Sequence, residues 1–292
     1  MMVAAVIGDQ GFIGKALCKS LREEAQIAVK SLITLPENRL KGFDSGALSG
    51  VNVLYYLASA TIPASSWNQP EYEVQANLIP FMKTMDAAVQ AGVSKIIYVS
   101  SGGTVYGPSH IPVTEDSVLQ PFSPYGVFKG CMEHYLNYIN QRFETETLIF
   151  RISNVYGPGQ NTQKGLGIIN TFIEQGCRRI PVALYGNGAS KRDFIFIDDV
   201  VNVLKLSAVK SFKYNTYNLA SGTVYSIAEI ATMIQIATGL QLTVDHRPAR
   251  ASDNTTIAFN INRLKQECSA FIPMDLKLGI QRTHDYILQH LK

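Results

Sequence analysis

The sequence predicts an α/β protein built on a doubly wound parallel sheet. Residues 3–8 form an apolar run without alternation, which is typical of a strand covered on both faces. A glycine-rich turn over residues 8–14 follows at once, and residues 15–24 carry apolar side chains at helical spacing. Apolar and helical stretches then alternate through the first half of the chain, which favours βαβ units and a parallel sheet.

The same patterns predict the remaining elements. Further strands are expected at residues 27–33, 51–57, 95–100 and 147–152, and long helices at residues 71–91 and 123–143. Pro80 is a candidate kink in the first of these helices, because proline has no amide hydrogen to donate. After a loop at residues 157–166, short strands are expected among helices near residues 167–176, 197–210, 226–238 and 278–291.

The composition is typical of a globular protein of one large domain or two unequal lobes. Of the 292 residues, 46% are hydrophobic and 17% charged, which argues against disorder. The net charge of +3 comes without a basic run, so no nucleic-acid or membrane partner is expected. No apolar stretch is long enough to span a membrane, and the N-terminus lacks the features of a signal peptide. We therefore predict a cytoplasmic protein.

Cysteine and histidine spacing predicts no metal site. The four scattered cysteines are expected to be thiols in a reducing compartment: Cys18, Cys131, Cys177 and Cys268. The five histidines show neither metal-ligand spacing nor a triad, and no G-x-S-x-G motif is present: His110, His134, His246, His284 and His290. Metallohydrolase and serine hydrolase functions are set aside.

The glycine turn is a candidate dinucleotide site. Gly8, Gly11 and Gly14 lie between the first strand and the first helix, where glycine permits a tight turn and close approach of a pyrophosphate. Phe12 and Ile13 open the helix, whose free N–H groups attract a phosphate. The alternative is an ordinary glycine-rich turn between a strand and a helix.

Tyr125 and Lys129 form a candidate catalytic pair. At positions i and i+4 of a helix they project from one face. A tyrosine pKa of about 10 makes a poor base at neutral pH, and we expect Lys129 to lower the pKa of Tyr125. Such a phenolate can take a proton from a sugar hydroxyl. The alternative is a surface lysine beside a half-buried tyrosine.

Together with further motifs in matching order, the chain resembles the extended short-chain dehydrogenase/reductase family, particularly its nucleotide-sugar epimerases and dehydratases. The glycine spacing is G-x-x-G-x-x-G, as in that family. The other segments that carry the resemblance are Leu57–Ala60, Val74–Asn77, Tyr98–Gly107, Arg151–Gly159, Arg192–Ile195 and Asp198–Val200.

The resemblance implies a Rossmann-type dinucleotide-binding domain at residues 1–157 and a smaller α/β substrate-binding lobe, mainly residues 158–292. The two interleave, with part of residues 190–225 returning to the sheet. It also implies a homodimer formed through the helices at 71–91 and 123–143.

The resemblance implies NAD as the cofactor. Beyond the glycine turn, it assigns cofactor contacts to Leu57, Ala58, Ser59, Asn77, Ser100, Tyr125, Lys129 and Ile152. An acidic residue about 20 positions past the glycines normally holds the ribose of NAD, but this chain has Lys30 and Ser31 at the end of the second predicted strand. These two residues suit a 2′-phosphate, so NADP is the alternative.

A third catalytic group is expected to orient the sugar hydroxyl. Relatives place a serine or threonine where this chain has Gly102. Thr104, two residues on, faces the same side if the strand continues, and we assign it this role with help from Ser101. The alternative for Thr104 is a structural strand residue. Dehydratases of the family carry Asp and Glu where this chain has Gly103 and Thr104, which favours epimerisation over dehydration.

Substrate residues are implied on the second lobe. Arg192 and Arg247 lie in motifs similar to the family's diphosphate-binding segments, and guanidinium groups bind phosphate in a fork. Asn154 is expected to donate to the diphosphate or sugar, with an Asx turn as its alternative. Thr61 is expected to line the sugar pocket.

The leading hypothesis is an NAD-dependent nucleotide-sugar 4-epimerase. The expected substrate is a nucleotide-diphosphate sugar, a UDP-hexose, with Tyr125 as the base during transient hydride transfer. One alternative is an NADPH-dependent nucleotide-sugar reductase. Another is a non-catalytic dinucleotide-sensing protein of the same fold.

Overall fold

The computed structural model describes residues 1–32, 42–109, 112–164, 166–249 and 256–291. The chain groups into two compact units. The first unit comprises Met1–Gly107, Ser117–Ile152 and Val201–Asn218, and the second Pro108–Asp116, Ser153–Val200 and Leu219–Lys292.

A six-stranded sheet forms the centre of the first unit. Its strands are β1 (Met2–Ile7), β2 (Ile27–Leu32), β3 (Val53–Tyr56), β4 (Lys95–Ser101), β5 (Glu146–Ile152) and β9 (Thr216–Leu219). They lie in the order β2-β1-β3-β4-β5-β9, and the pairs from β2 to β5 are all parallel. The predicted Rossmann-type fold is confirmed. The chain order reverses at β1, which is the point where open sheets of this kind bind their ligands.

The longer helices of the two units follow the predicted positions closely. The described helices are α1 (Phe12–Arg22), α2 (Pro70–Glu73), α3 (Ile79–Gln90), α4 (Gly102–Val105), α5 (Pro124–Arg142), α6 (Ile168–Cys177), α7 (Ile197–Val209), α8 (Ile227–Thr238), α9 (Asn262–Glu267) and α10 (Leu276–His290). None of them is both long and apolar enough to cross a bilayer.

The segment predicted as one helix over 71–91 is helical but irregular. One turn of π-helix, Val74–Leu78, connects α2 to α3. Pro80 lies in the first turn of α3 and cannot donate a hydrogen bond to the carbonyl of residue 76. The wider π winding accommodates this loss, so the irregularity lies one turn before the proline rather than at it.

An aromatic cluster fills the core beside the carboxyl half of the sheet. The ring centroids of Tyr56 and Phe81 are 5.0 Å apart, and those of Phe81 and Tyr98 are 5.3 Å apart. All three side chains are buried. Each such pair contributes about 0.5–1.5 kcal/mol beyond area burial, so the end of β4 has a rigid support.

The second unit contains two small sheets. In the first, β6 (Asn154–Tyr156) pairs parallel with β8 (Lys191–Phe196), which pairs antiparallel with β10 (Val224–Ser226). In the second, β11 (Val244–Arg247) pairs parallel with β7 (Val182–Tyr185).

Candidate active site

The glycine turn is closed by backbone contacts that exclude side chains. A Cβ atom on Gly14 would lie 2.1 Å from the carbonyl oxygen of Gly8. Gly8 has φ +91°, and a Cβ there would lie 2.8 Å from the amide nitrogen of Ala58. Because these neighbours are backbone atoms, they cannot move aside. The turn therefore requires glycine at both positions.

The N-terminus of α1 fits a phosphate group. Its N-cap is Gly11, which offers no side-chain hydrogen bond, and the first turn of the helix contains no acidic residue. The free N–H groups and the positive end of the helix dipole are thus available to an anion. This geometry fits the pyrophosphate of a dinucleotide.

The predicted cofactor residues lie at one edge of the sheet. The glycine turn follows β1, Leu57 follows β3, and Ser101 pairs with Ile152 where β4 and β5 end. The amide of Leu57 donates to the carbonyl of Ile7 at 2.9 Å, which extends the ladder to the turn. The carboxyl ends of these parallel strands form the edge at which such sheets bind ligands.

Lys30 and Ser31 lie in β2, at the same end of the sheet. Lys30 is opposite Ala5 of β1, and its side chain is half-buried. Ser31 is opposite Val6, while its side chain lies outside the described residues. The backbone thus carries both positions toward the edge that holds the glycine turn.

The start of α5 sets the positions of Tyr125 and Lys129. The Ser123 side chain caps the helix, accepting a hydrogen bond from the amide of Gly126 at 3.2 Å, and Pro124 occupies the first turn. Such a cap fixes where the helix begins and stabilises it by about 1 kcal/mol. The Lys129 Nζ lies 5.6 Å from the centroid of the Tyr125 ring. The two side chains share one face.

Lys129 is held from the sheet side. It is 6% exposed, and its Nζ donates to the carbonyl of Val99 at 3.1 Å. It also lies 4.8 Å from the centroid of the Tyr98 ring, whose face attracts a cation. These contacts fix the ammonium group at the end of β4.

The expected depression of the Tyr125 pKa is wrong for the protein alone. Burial raises the pKa of Tyr125, a hydrogen bond with Ser59 lowers it, and the charge of Glu73 raises it, to about 12. Burial lowers the pKa of Lys129 to about 8, although Glu133 and Glu73 raise it. At both residues burial is the largest effect, because each charged form loses contact with water.

Thr104 does not lie on the strand that was expected to carry it. β4 ends at Ser101, and Gly102 begins the helical turn α4. Thr104 is buried, and its hydroxyl donates to the carbonyl of Ser101 at 3.4 Å. The argument from strand alternation is therefore wrong, because two glycines have little preference for a strand once pairing with β5 ends.

The helical turn nevertheless brings Thr104 close to the start of α5. A Cβ on Gly126 would lie 2.4 Å from the carbonyl oxygen of Thr104. This contact requires glycine beside Tyr125. The catalytic role of Thr104 and Ser101 stays a prediction.

A buried ion pair supports the end of β4. The Arg151 guanidinium donates to one oxygen of Glu133 from Nε at 2.9 Å and from Nη2 at 2.7 Å. The Ser100 hydroxyl donates to the other oxygen of Glu133. Arg151 also donates to the Tyr106 hydroxyl at 2.8 Å. The hydroxyl of Ser100, a predicted cofactor contact, is therefore engaged by Glu133.

The loop after β3 is fixed by one carboxamide. Asn77 accepts from the amide of Ala60 at 2.7 Å and donates to the Thr61 hydroxyl at 3.0 Å. Its second N–H donates to Glu73 at 2.9 Å. The Ser59 hydroxyl, the partner of Tyr125, donates to the carbonyl of Thr61 at 3.0 Å. Asn77 thus links the loop to the π turn.

Glu73 is a candidate functional residue that no sequence motif indicated. It lies four residues before Asn77, a spacing that places both side chains on one face of a helix. That spacing was the available signal, but acidic residues on helices are usually solvated. In the structure Glu73 is 1% exposed.

In the second unit, Asn154 and Arg192 lie on neighbouring strands. Asn154 is in β6, and its side chain donates to the carbonyl of Asp193 at 2.8 Å. It belongs to a strand, which argues against the Asx-turn alternative. Arg192 is half-buried in β8, and its Nη1 donates to the carbonyl of Lys191 at 2.8 Å.

Arg247 is exposed at the end of β11. Its Nε donates to Asp245 at 2.8 Å, and its guanidinium lies 5.8 Å from the centroid of the Tyr185 ring. Tyr185 is opposite Arg247 in the sheet and precedes the turn that leads to β8, where Arg192 lies. An anion at Arg247 competes with Asp245.

No metal site is found in the described part of the chain, where no three His, Cys, Asp or Glu side chains group together. The four cysteines are free thiols.

Known proteins match the whole chain. A UDP-glucose 4-epimerase from Mycolicibacterium smegmatis is 27% identical over 98% of each chain. A dTDP-4-dehydro-6-deoxyglucose reductase from Escherichia coli is 27% identical over 90% of each. The solved structure of MoeE5 in complex with UDP-glucuronic acid and NAD is 27% identical, with a TM-score of 0.91 over 100% of both chains.

The profile of the NAD dependent epimerase/dehydratase family matches residues 4–220. This range includes the glycine turn, the Tyr125–Lys129 pair and Arg192, and it confirms the predicted resemblance. The chain belongs to the NAD dependent epimerase/dehydratase family.

Proposed function

We propose that this protein is an NAD-dependent UDP-hexose 4-epimerase. The observation that carries the proposal is the Tyr125 side chain, one helical turn from the buried Lys129, whose Nζ lies 5.6 Å from the centroid of the Tyr125 ring at the end of the sheet that holds the glycine turn. Similarity to a UDP-glucose 4-epimerase over nearly the full length of both chains supports the reaction.

NAD fits the first unit. The glycine turn and the N-terminus of α1 would hold its pyrophosphate, and Lys129 would hydrogen-bond the nicotinamide ribose. When bound, the oxidised dinucleotide supplies a reversible hydride acceptor and a positive charge that lowers the pKa of Tyr125. NAD in the related MoeE5 complex supports this choice.

Tyr125 would move the proton of the sugar 4-hydroxyl. Its oxygen accepts that proton as the hydroxyl carbon is oxidised and returns it when the carbon is reduced on the other face. One tyrosine serves both directions. We assign the orientation of the sugar hydroxyl to Thr104, with help from Ser101.

The residues after β4 argue against dehydration. Elimination of water needs a proton donor and a base beside the sugar, and Gly103 and Thr104 provide no carboxylate. Epimerisation requires no such pair, because the 4-keto sugar only has to turn.

The substrate diphosphate is assigned to the second unit. Arg192 and Arg247 provide guanidinium groups, and Asn154 provides an amide near Arg192. Arg247 would exchange its pairing with Asp245 for the diphosphate; both side chains are exposed, so this exchange costs little. Thr61, on the loop held by Asn77, is assigned to the sugar pocket.

The test is interconversion of UDP-glucose and UDP-galactose by the purified protein without added reductant. Tyr125→Phe should abolish turnover and leave dinucleotide binding nearly unchanged. Tyr138→Phe, on the exposed face of the same helix, is the matched control and should keep activity. Full turnover by Tyr125→Phe would refute the mechanism, and no turnover of any UDP-hexose by the wild type would refute the proposed function.

A reductase is the second candidate. Similarity to the dTDP-4-dehydro-6-deoxyglucose reductase favours it, and so does Lys30, which suits a 2′-phosphate of NADP. A reductase would consume one NADPH for each keto sugar reduced. Stoichiometric loss of NADPH absorbance with a 4-keto nucleotide sugar, together with no epimerisation, would favour it.

We also propose a homodimer formed through the helical segments at 71–91 and 123–143. Large apolar side chains on these segments are exposed in the single chain: Tyr72, Ile79, Val127 and Tyr138. Sedimentation should show a dimer at micromolar concentration, and a monomer would contradict the proposal.

The cytoplasm is the proposed compartment, because the four free thiols suit a reducing environment. Fractionation of cells that produce the protein should find it with cytoplasmic markers.

A further inference from the structure

We propose that Glu73 is a positioning residue for the Tyr125–Lys129 pair: its buried carboxylate anchors Asn77 and adds a negative charge near Lys129. The inference rests on the proposed function for its catalytic meaning. Its structural basis lies wholly in the first unit, in contacts among α2, the π turn, the 59–61 loop and α5.

The burial of the Glu73 carboxylate carries a free-energy cost that neighbouring groups must offset. Glu73 is 1% exposed, one carboxylate oxygen accepts from Asn77 at 2.9 Å, and the other has no hydrogen-bond partner among the described residues. A buried carboxylate that accepts one bond from a neutral amide is poorly stabilised. A nearby cation is therefore the remaining source of stabilisation.

We assign Lys129 as that cation, because it is buried on α5, which packs against α2, the helix that carries Glu73. The guanidinium of Arg151 is already engaged twice by Glu133, so the first buried ion pair is complete. Glu133 and, to a lesser extent, Glu73 raise the pKa of Lys129, and the charge of Glu73 also raises the pKa of Tyr125. Burial of Lys129 leaves little water to screen this interaction.

Glu73 also acts on Tyr125 through a chain of contacts. Its carboxylate fixes the Asn77 carboxamide, which holds Ala60 and Thr61 from the other side. The carbonyl of Thr61 accepts from the hydroxyl of Ser59, a residue whose side chain lowers the pKa of Tyr125. Glu73 immediately precedes the π turn that contains Asn77, and such turns are frequent at functional sites.

Other charged and titratable groups surround the pair and must be considered in any pH experiment. They are Tyr56 on β3, Tyr98 on β4, Glu133 on α5 and Arg151 on β5. Glu73→Gln leaves all of them in place. Because the substitution removes one negative charge and keeps the side-chain shape, we expect the pKa values of both Lys129 and Tyr125 to fall.

The test is a titration of Lys129 in the protein without dinucleotide or substrate. NMR of protein labelled at the lysine ε-carbon would follow its ionisation, with the signal assigned from its loss in Lys129→Arg. Glu73→Gln should lower the midpoint by roughly one pH unit. Glu71→Gln, an exposed residue of the same helix, is the matched control and should leave the midpoint unchanged. An unchanged midpoint in a folded Glu73→Gln protein would overturn the proposal.

Glu73→Asp keeps the negative charge but shortens the side chain, so it distinguishes the effect of the charge from that of the hydrogen bond to Asn77. It should keep the Lys129 midpoint close to that of the wild type but lower kcat, because the shorter side chain cannot hold Asn77 in place. A midpoint that falls in Glu73→Asp as far as expected for loss of the charge would contradict the proposal. If Glu73→Gln does not fold, the Asp variant decides the question alone.

The pH dependence of kcat/KM provides the catalytic readout. Glu73→Gln should shift its limbs to lower pH, and Glu71→Gln should not. The titration needs no turnover, so a shifted midpoint in a protein that epimerises nothing would refute the proposed function and leave the role of Glu73 intact. Normal epimerisation by the wild type, together with an unshifted Lys129 midpoint in Glu73→Gln, would support the proposed function and refute the role of Glu73.

Discussion

Lys129→Met is expected to remove one contribution to the pH dependence of stability, the part that comes from the ionisation of Lys129. Lys129 is buried in the folded chain, and burial lowers its pKa from 10.5 to about 8. Methionine has a similar length and no charge. The substitution therefore removes the cost of desolvating an ammonium group, together with the attraction that Glu73 and Glu133 exert on it.

The sign follows from proton binding. Between about pH 8 and pH 10.5 the unfolded chain keeps the proton on Lys129 while the folded chain has lost it, so folding is favoured as the pH rises. Below about pH 8 Lys129 is charged in both states, and the folded chain bears the full free-energy cost of burying the ammonium group. Since one pKa unit corresponds to about 1.36 kcal/mol, the shift amounts to roughly 3 kcal/mol. The wild type should gain this amount, relative to Lys129→Met, between pH 7 and pH 10.5.

Urea unfolding of both proteins at a series of pH values measures the difference. Taking the difference cancels the ionisation of the buried tyrosines, whose pKa values burial raises and which weaken the fold of both proteins above about pH 10. Lys19→Met, an exposed position, should give a difference that does not change with pH. A flat difference for Lys129→Met as well would show that Lys129 keeps its proton in the folded chain, and it would refute the reasoning.

Three other substitutions test separate parts of the structure. Gly14→Ala places a Cβ atom 2.1 Å from the carbonyl oxygen of Gly8, so it should lower the free energy of unfolding in urea by roughly 1–3 kcal/mol and weaken NAD binding measured by calorimetry. Gly103→Ala is the control: its Cβ meets no atom within 4 Å, and the free energy of unfolding should fall by less than about 1 kcal/mol. Glu133→Gln leaves a buried guanidinium without its carboxylate and should lower the free energy of unfolding by about 3–5 kcal/mol; an unchanged midpoint would contradict this. Arg192→Lys should raise KM for the UDP-hexose by about tenfold while kcat changes less, because lysine cannot bind phosphate in a fork; an unchanged KM would remove Arg192 from the substrate site.

Local patterns predicted the fold because local chemistry decides it. Residues 3–8 are apolar on both faces and Gly8, Gly11 and Gly14 follow directly, so the first strand, turn and helix were readable from the sequence. The spacing of Tyr125 and Lys129 likewise needs only a helix to bring them together. These features depend on residues within a few positions of one another.

The errors concern properties that distant residues determine. β4 ends where its pairing with β5 ends, at Ser101 opposite Ile152. Thr104 therefore lies in the helical turn α4 and not on the strand. The pKa of Tyr125 depends on how deeply its surroundings bury it, which helical spacing does not reveal. Glu73 looks like a solvated helix residue until the 59–61 loop and α5 cover it.

The groups near Lys129 explain why its charge responds to pH and to nearby substitutions more than the charge of Arg151 does. Two buried carboxylates, Glu73 and Glu133, act on it, and Arg151 neutralises Glu133 through two hydrogen bonds. The pKa of Arg151 is lowered by burial but raised further by Glu133, so it stays charged at any physiological pH. Lys129 instead titrates at about pH 8. A small change in nearby charge therefore alters the charge on Lys129 far more than that on Arg151, and loss of the Glu73 charge would favour the neutral form of Lys129.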